Sequence, residues 1–292
     1  MKPTVSVIIP TFNRPDDLKR AIESVYAQTH QVDEVWVIND GDTYASFLDL
    51  KTRFGGVNIL HTGKGKGANF SRNLGIKNAI SDILMFLDDD DWWTKDKVDR
   101  QLRLFEADDS LGLVFSGKQV VFDHTPEKVQ YQITAKDVQY PLKAILKDNF
   151  IGTTSSVAVR RNLVIEAGLF DESLPAMQDY DLWIRICKRA KVKSDRGYHV
   201  FYTVNKSSQK IQISKSGINQ LKASEIIFEK YTGDFLEQGI RLSRRKGQFY
   251  FKIAKSIRYR SFWKAVPWIA KSFVLYPSIK AIYLLISTER PF

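Results

Sequence analysis

A single cysteine, Cys187, is all that this chain of 292 residues carries. No intramolecular disulfide can form, so nothing requires an oxidising compartment. Trp183 and Ile186 give Cys187 an apolar, helix-like setting, which reads as an inert core thiol rather than a nucleophile. Long hydrophobic runs are missing too. After Met1-Lys2-Pro3-Thr4 the apolar stretch at residues 5–9 is too short for a secretory signal and reads as a buried strand. Residues 272–286 are broken by Pro277 and Lys280, so they do not make a spanning helix of about 20 residues. The expectation is a cytoplasmic protein without a transmembrane anchor. Internal repeats and low-complexity tracts are absent, and 43% hydrophobic residues argue for a packed core rather than disorder.

Acidic residues are scarce in one place only. Up to Gly239 the chain has 32 basic and 32 acidic residues, whereas residues 240–292 have 12 basic residues and one acid, Glu289. The whole net charge of +11 therefore lies in the tail, which calls for a polyanionic surface as its partner. Phe249, Ile253 and Ile257 recur every fourth residue among Lys252, Lys255, Arg258 and Arg260. A basic amphipathic helix of this kind lies on anionic membranes. The alternative is a helical hairpin packed on the rest of the chain, its basic face solvated. Nucleic acid is not the expected partner, because the first 239 residues are neutral and contain a run of four aspartates.

Apolar runs at residues 5–9, 34–38, 57–60 and 83–87 alternate with helical patterns, the first of which carries Leu18, Ala21, Ile22 and Val25 at i, i+3, i+4 and i+7. This is the pattern of an α/β, doubly wound, mostly parallel sheet with helices on both faces. Ligands bind beyond the carboxyl ends of such strands. The polar clusters stand there: Thr11-Phe12-Asn13-Arg14-Pro15, Asn39-Asp40-Gly41-Asp42 and Asp88-Asp89-Asp90-Asp91. Further on, helices are expected at residues 95–106, 162–167 and 179–190 and strands at 112–122 and 154–159. Residues 123–136 read as a polar surface loop, and a helical region begins at Ile218.

Four adjacent carboxylates raise one another's pKa unless a cation neutralises them. Mg²⁺ and Mn²⁺ take carboxylate oxygens, with phosphate and water completing the shell. A solvated acidic turn is the plainer reading, but an apolar strand in front and two tryptophans behind disfavour it.

Here the chain resembles the family 2 glycosyltransferases, which have the GT-A fold. The resemblance spans residues 4–202, about two thirds of the chain. VSVIIPTFNRPDDLKRAIESVYAQT resembles the family's first strand and helix, and EVWVINDGD its strand ending in Asp-Asp-Gly-Ser. GANFSRNLGIKNA is similar to its Ala-Arg-Asn-Xaa-Gly helix, ILMFLDDDDWW to its Asp-Xaa-Asp metal motif, and AMQDYDLWIRI to its Glu-Asp segment.

The resemblance implies a donor site formed by Pro10, Thr11, Phe12, Arg14, Asp40, Lys66, Arg72, Asp88 and Asp89. Phe12 would stack on the base, Asp40 would accept the uracil imide N–H, and Arg72 would hold diphosphate oxygens. Lys64 and Lys66 lie in a Gly-Lys-Gly-Lys-Gly loop that is not a dinucleotide fingerprint but is within reach of phosphate. Asp90 would be the main ligand of Mn²⁺ or Mg²⁺, assisted by Asp88, and Asp179 the catalytic base. Asn39 and Gln178 replace the family's usual Asp and Glu. Asp181 is expected to be structural. Trp183 and Arg185 fit the acceptor side, the core or the surface equally well. A sugar nucleotidyltransferase of similar fold would show a glycine-rich first loop, where this chain has PTFNRP.

The implied activity is inverting transfer of a hexose or N-acetylhexosamine from a UDP-sugar to a glycan or lipid-linked glycan, as in bacterial surface polysaccharide or lipooligosaccharide synthesis. The implied organisation is a GT-A domain at 1–215, split near residue 100 into donor and acceptor halves. A basic helical extension at 216–292 would sit on the inner face of the cytoplasmic membrane.

Overall fold

The computed structural model describes residues 2–41, 50, 52–63, 65–205, 217–258 and 261–286. Asp42, Lys64, Arg260, Glu289 and the expected domain boundary near 215 lie outside the described residues. Two compact units are present: Met1–Glu172 with Gln178–Lys210, and Ser173–Met177 with Ile211–Phe292.

The first unit is built on one twisted sheet. Its parallel part comprises β1 (Val5–Thr11), β2 (Glu34–Asn39), β3 (Val57–His61) and β4 (Ile83–Phe86), in the order β3-β2-β1-β4. All seven residues of β1 are buried, as a strand covered on both faces must be. Helix α1 (Pro15–Tyr26) starts with Pro15, and Asp16 and Asp17 stand in its first turn, where carboxylates complement the helix dipole. It buries the predicted face of Leu18, Ala21, Ile22 and Val25 against Val5, Val7 and Ile9. Helix α2 (Ala68–Asn78) packs on the opposite face, where Ile8 points. A Cβ on Gly75 would come within 2.6 Å of the Ile8 side chain, so only glycine allows this approach. The sequence pattern predicts a helix over residues 71–80, but it ends at Asn78 and leaves Ile80 exposed.

Beyond β4 the sheet is mixed. It runs through β8 (Val157–Arg160), β6 (Leu111–Phe122), β9 (Lys191–Val204) and the two-residue β5 (Trp92–Trp93). β8 is antiparallel to β4 and β6, while β9 is parallel to β6. Helices α3 (Lys97–Ala107), α4 (Pro141–Lys147), α5 (Arg161–Glu166) and α6 (Gln178–Cys187) complete the unit. Residues 123–136 are not the expected loop: Thr125–Ile133 forms β7, paired antiparallel with β6. Val129, Tyr131 and Ile133 alternate as strand residues do, but they are partly exposed, so a solvated strand there reads as a loop. β9 is likewise hidden in the sequence, because register shifts near Phe115 and Gly117 break the alternation against its partner.

The second unit contains α7 (Gly217–Lys230), α8 (Thr232–Glu237), α9 (Leu242–Arg258), α10 (Phe262–Leu275) and α11 (Ile279–Ile286). Phe249 meets Phe228 edge-on at 5.8 Å, Ile253 is buried, and Ile257 packs on the cluster of Ala254, Ala265, Ile269, Ala281 and Leu284. The apolar stripe of α9 is thus internal to this unit, because neighbouring helices bury it first.

Candidate active site

β1 lies between β2 and β4, so the chain leaves it toward opposite edges of the sheet, and a crevice opens at such a switch point. Register sets its rim. Thr11 is level with Asn39, and the Leu87 amide extends the ladder by donating to Ile8 O at 3.0 Å. The loops after β1, β2 and β4 therefore emerge side by side.

The four aspartates after β4 have separate surroundings. Asp91 is fully buried and accepts from Ser155 Oγ at 2.6 Å and Thr203 N at 2.9 Å. Asp89 is also enclosed, taking Thr11 Oγ1 at 2.8 Å and Arg14 Nη1 at 3.1 Å. Asp90 shares Arg14 at 3.1 Å, and Asp88 pairs with Arg72 at 2.6 Å and receives Thr154 Oγ1 at 3.3 Å. Burial, then the neighbouring charges of Asp89 and Asp88, pushes Asp90 up to about 7. Asp89 and Asp91 are raised too, in each case chiefly by burial. Asp88 and Asp90 keep the most open side chains, 30% and 16% exposed, while Asp91 anchors the turn.

At the nucleotide end, Pro10 and Thr11 close β1 and are buried, whereas Phe12 is 52% exposed and not part of the core. Asp40 fastens the glycine-rich loop: its carboxylate accepts from the amides of Lys66 (2.9 Å) and Gly67 (2.7 Å) and from the Thr62 hydroxyl. One acceptor position on Oδ2 is not used by these bonds. Lys66 itself is exposed. Asn39 bridges His61 Nδ1 at 3.2 Å and the Gly41 amide at 2.9 Å, using its amide both as donor and acceptor; an aspartate could not donate to the imidazole.

Helix α2 turns Arg72 to Asp88, and its next residue, Asn73, clamps the segment before α6 through Phe170 N and O and Glu172 Oε1, at 2.7 to 2.9 Å. Asp179 stands in the first turn of α6, half-buried, and accepts from the Tyr180 amide at 2.8 Å. Burial raises its pKa; the Arg72 and Lys118 charges pull it down and Asp88 pushes it up, so Asp179 shares the field of the acidic loop. Asp181 is structural, bound to Arg185 at 2.6 Å, and Trp183 is a core residue. Cys187 is buried and its thiol pushed up to about 12, an inert group.

Two residues that sequence reasoning missed complete the cleft. Lys118 of β6 holds its ammonium 4.1 Å from the centre of the Tyr202 ring of β9, and burial lowers its pKa against the charges of Asp91 and Asp179. The Tyr202 phenol is raised by burial and by Asp91, Asp88, Asp90 and Asp179 together. Nothing local marks Lys118; the aromatic, β-branched run Phe201-Tyr202-Thr203-Val204 was the available signal for the strand.

Asp88, Asp89, Asp90, Asp91 and Asp179 face Arg14, Arg72 and Lys118, an excess of two negative charges. Protonation, as the raised pKa values reflect, or a divalent cation would balance it. Among the described residues no three acidic, His or Cys side chains converge on one point. Asp88 and Asp90, the most open of the four aspartates, could offer one or two oxygens to a cation whose other positions go to phosphate and water. This donor set fits Mg²⁺ or Mn²⁺.

Residues 6–173 match the family model "Glycosyl transferase family 2". An uncharacterized glycosyltransferase of Haemophilus influenzae is 24% identical over 276 residues, 87% of this chain and 91% of the relative. Three Rickettsia glycosyltransferases are matched over only about a third of their own length. Among solved structures, S. aureus TarS 1-349 in complex with UDP-GlcNAc has a TM-score of 0.60 at 16% identity, over 96% of this chain and 91% of that one. The mannosyltransferase from Pyrobaculum calidifontis in complex with GDP-Man and Mn²⁺ has a TM-score of 0.62 at 18% identity, over 98% and 79%. The sheet, its helices and the C-terminal helical region are those of the expected GT-A fold. With more than half of its length matched by the family model, the chain belongs to glycosyl transferase family 2.

Proposed function

We propose that the protein transfers a hexose or N-acetylhexosamine from a UDP-sugar to a hydroxyl of a glycan or lipid-linked glycan, with inversion at the anomeric carbon. A bacterial surface polysaccharide or lipooligosaccharide pathway, on the cytoplasmic side, is the setting it fits. One arrangement supports this above all: Asp88, paired with Arg72 at 2.6 Å, shares an electrostatic neighbourhood with Asp179, while Asp90 opens from the same loop beside Arg14.

The exposed Phe12 ring offers a stacking surface for the base, and the spare Asp40 acceptor suits an imide N–H. Arg72 would turn its fork from Asp88 to diphosphate oxygens. Asp90 and Asp88 would hold a divalent ion, which would neutralise charge on the departing nucleoside diphosphate. Asp179 takes the proton of the acceptor hydroxyl as that oxygen bonds to the anomeric carbon and the bond from that carbon to the phosphate oxygen breaks. Its raised pKa makes it a stronger base than an ordinary carboxylate. A relative solved with UDP-GlcNAc and another with GDP-Man and Mn²⁺ agree with a nucleotide-sugar donor and with use of a metal.

Isothermal titration of UDP, with Mn²⁺ and then with EDTA, tests the donor site. Metal-dependent binding that weakens at least tenfold in Asp90→Ala is expected. Absence of UDP binding with Mn²⁺ present would refute the uridine assignment; failure of GDP and dTDP as well would remove nucleotide-sugar transfer altogether.

A further inference from the structure

Helices α10 and α11 are built inside out. In α10 the residues buried within the second unit are Ala265, Ile269 and Ser272, a small-residue seam. The opposite side carries Trp263, Pro267, Ala270 and Val274, spaced i, i+4, i+7 and i+11, all exposed. A helix on the surface of a soluble domain puts polar residues there. In α11 the pattern repeats: Ala281 and Leu284 are buried, and Ile279, Ile282, Tyr283 and Ile286 are exposed at i, i+3, i+4 and i+7. Trp263, Val274, Ile279 and Ile286 are each between 73% and 85% exposed.

The only charges on these two helices are cationic: Lys264 and Lys271, seven residues apart on one flank of α10, and Lys280 beside Ile279. Neither helix contains an acid, and residues 240–286 contain none at all. Among the described residues no helix is long and apolar enough to cross a membrane. An apolar face with an aromatic residue at its end, bordered by lysines and lacking acids, matches the acyl-to-headgroup boundary of an anionic bilayer. A protein interface has a generally polar rim, whereas the charges bordering this face are lysines alone.

We propose that the outer face of α10 and α11 docks in the plane of an anionic lipid surface, with Trp263, Val274, Ile279 and Ile286 entering the headgroup boundary and Lys264, Lys271 and Lys280 contacting lipid phosphates. The stripe of α9, being internal, does not take part. This docking is independent of the donor site.

Cosedimentation of the full chain with phosphatidylglycerol/phosphatidylcholine vesicles, and with phosphatidylcholine alone, tests it. Binding to the anionic vesicles, at least tenfold weaker on the neutral ones and weakened by salt, is expected. Trp263→Glu with Ile279→Glu should lower binding to anionic vesicles at least tenfold, with UDP titration and circular dichroism unchanged, since both positions are exposed. Lys264→Gln with Lys271→Gln should reduce the preference for anionic lipid. The proposal is overturned if the chain stays in the supernatant with anionic vesicles, or if the Glu variant binds them as the parent does. It is also overturned if the parent is a dimer without lipid and the Glu variant a monomer that still binds vesicles, because the face then joins two copies.

Discussion

Lys97 offers a test that needs no knowledge of the acceptor. It is fully buried at the start of α3, donating to Gln101 Oε1 at 2.8 Å with its ammonium 4.2 Å from the centre of the Trp93 ring. Trp93 in turn donates its indole N–H to Ser155 O, and Ser155 Oγ holds Asp91, so this lysine lies beneath the acidic loop. Burial lowers its pKa from 10.5 to about 7, against the raising charge of Asp195. At about 1.4 kcal/mol per unit, carrying the charge inside costs on the order of 5 kcal/mol below pH 7. The folded-state pKa lies below the unfolded one. Between pH 7 and about 10 the unfolded chain binds the extra proton, and stability rises with pH. From pH 7 to pH 9 the rise from this group is about 2.3 kcal/mol, because half of the folded molecules still hold the proton at pH 7.

Lys97→Met keeps the length and removes the titration. It leaves Gln101 Oε1 without its donor, at roughly 1–3 kcal/mol. The variant should therefore be more stable than the parent by a few kcal/mol at pH 6 and about level with it at pH 9. Urea unfolding followed by tryptophan fluorescence, at pH 6, 7, 8 and 9, measures the difference curve, from which the other titrating groups cancel. A difference that does not change with pH would falsify a buried charged lysine here. A variant less stable than the parent at pH 6 would show that the Gln101 and Trp93 contacts outweigh the burial of charge.

Asp179→Asn should lower turnover by about 10²- to 10⁴-fold with UDP binding intact; release of UDP from a UDP-sugar is the assay, and near-normal turnover would rule out its role as base. Because burial raises the Asp179 pKa, activity should be lost on acidification at a higher pH than for an ordinary carboxylate. Lys118→Met removes a cation that favours the ionised base, so the acidic limb of the pH–rate profile should move to still higher pH. Lys118→Arg should restore much of the parental profile, and an unmoved limb in Lys118→Met would show that Lys118 has no part in setting the base.

The order of strands and helices up to Asp91 was legible because burial on both faces forces continuous apolar runs, and because a 3.6-residue spacing of Leu18, Ala21, Ile22 and Val25 has one structural solution. The local chemistry was legible for the same reason: carboxylates, an arginine and a glycine sit at strand ends and helix starts whatever lies across the sheet. The edge strand β7 was not, since its side chains are largely solvated and carry no core pattern, and the irregular β9 was not, since its residues answer to β6 partners more than 50 positions away. Tertiary structure alone decided which aspartate anchors the turn and which stay open, because Ser155 and Thr203 reach Asp91 from distant elements. It alone brought Lys118 over Tyr202. In the tail, the basic charge belongs to the composition, but which apolar face is free depended on packing: Phe249 and Ile253 of α9 found partners, and the outer sides of α10 and α11 did not.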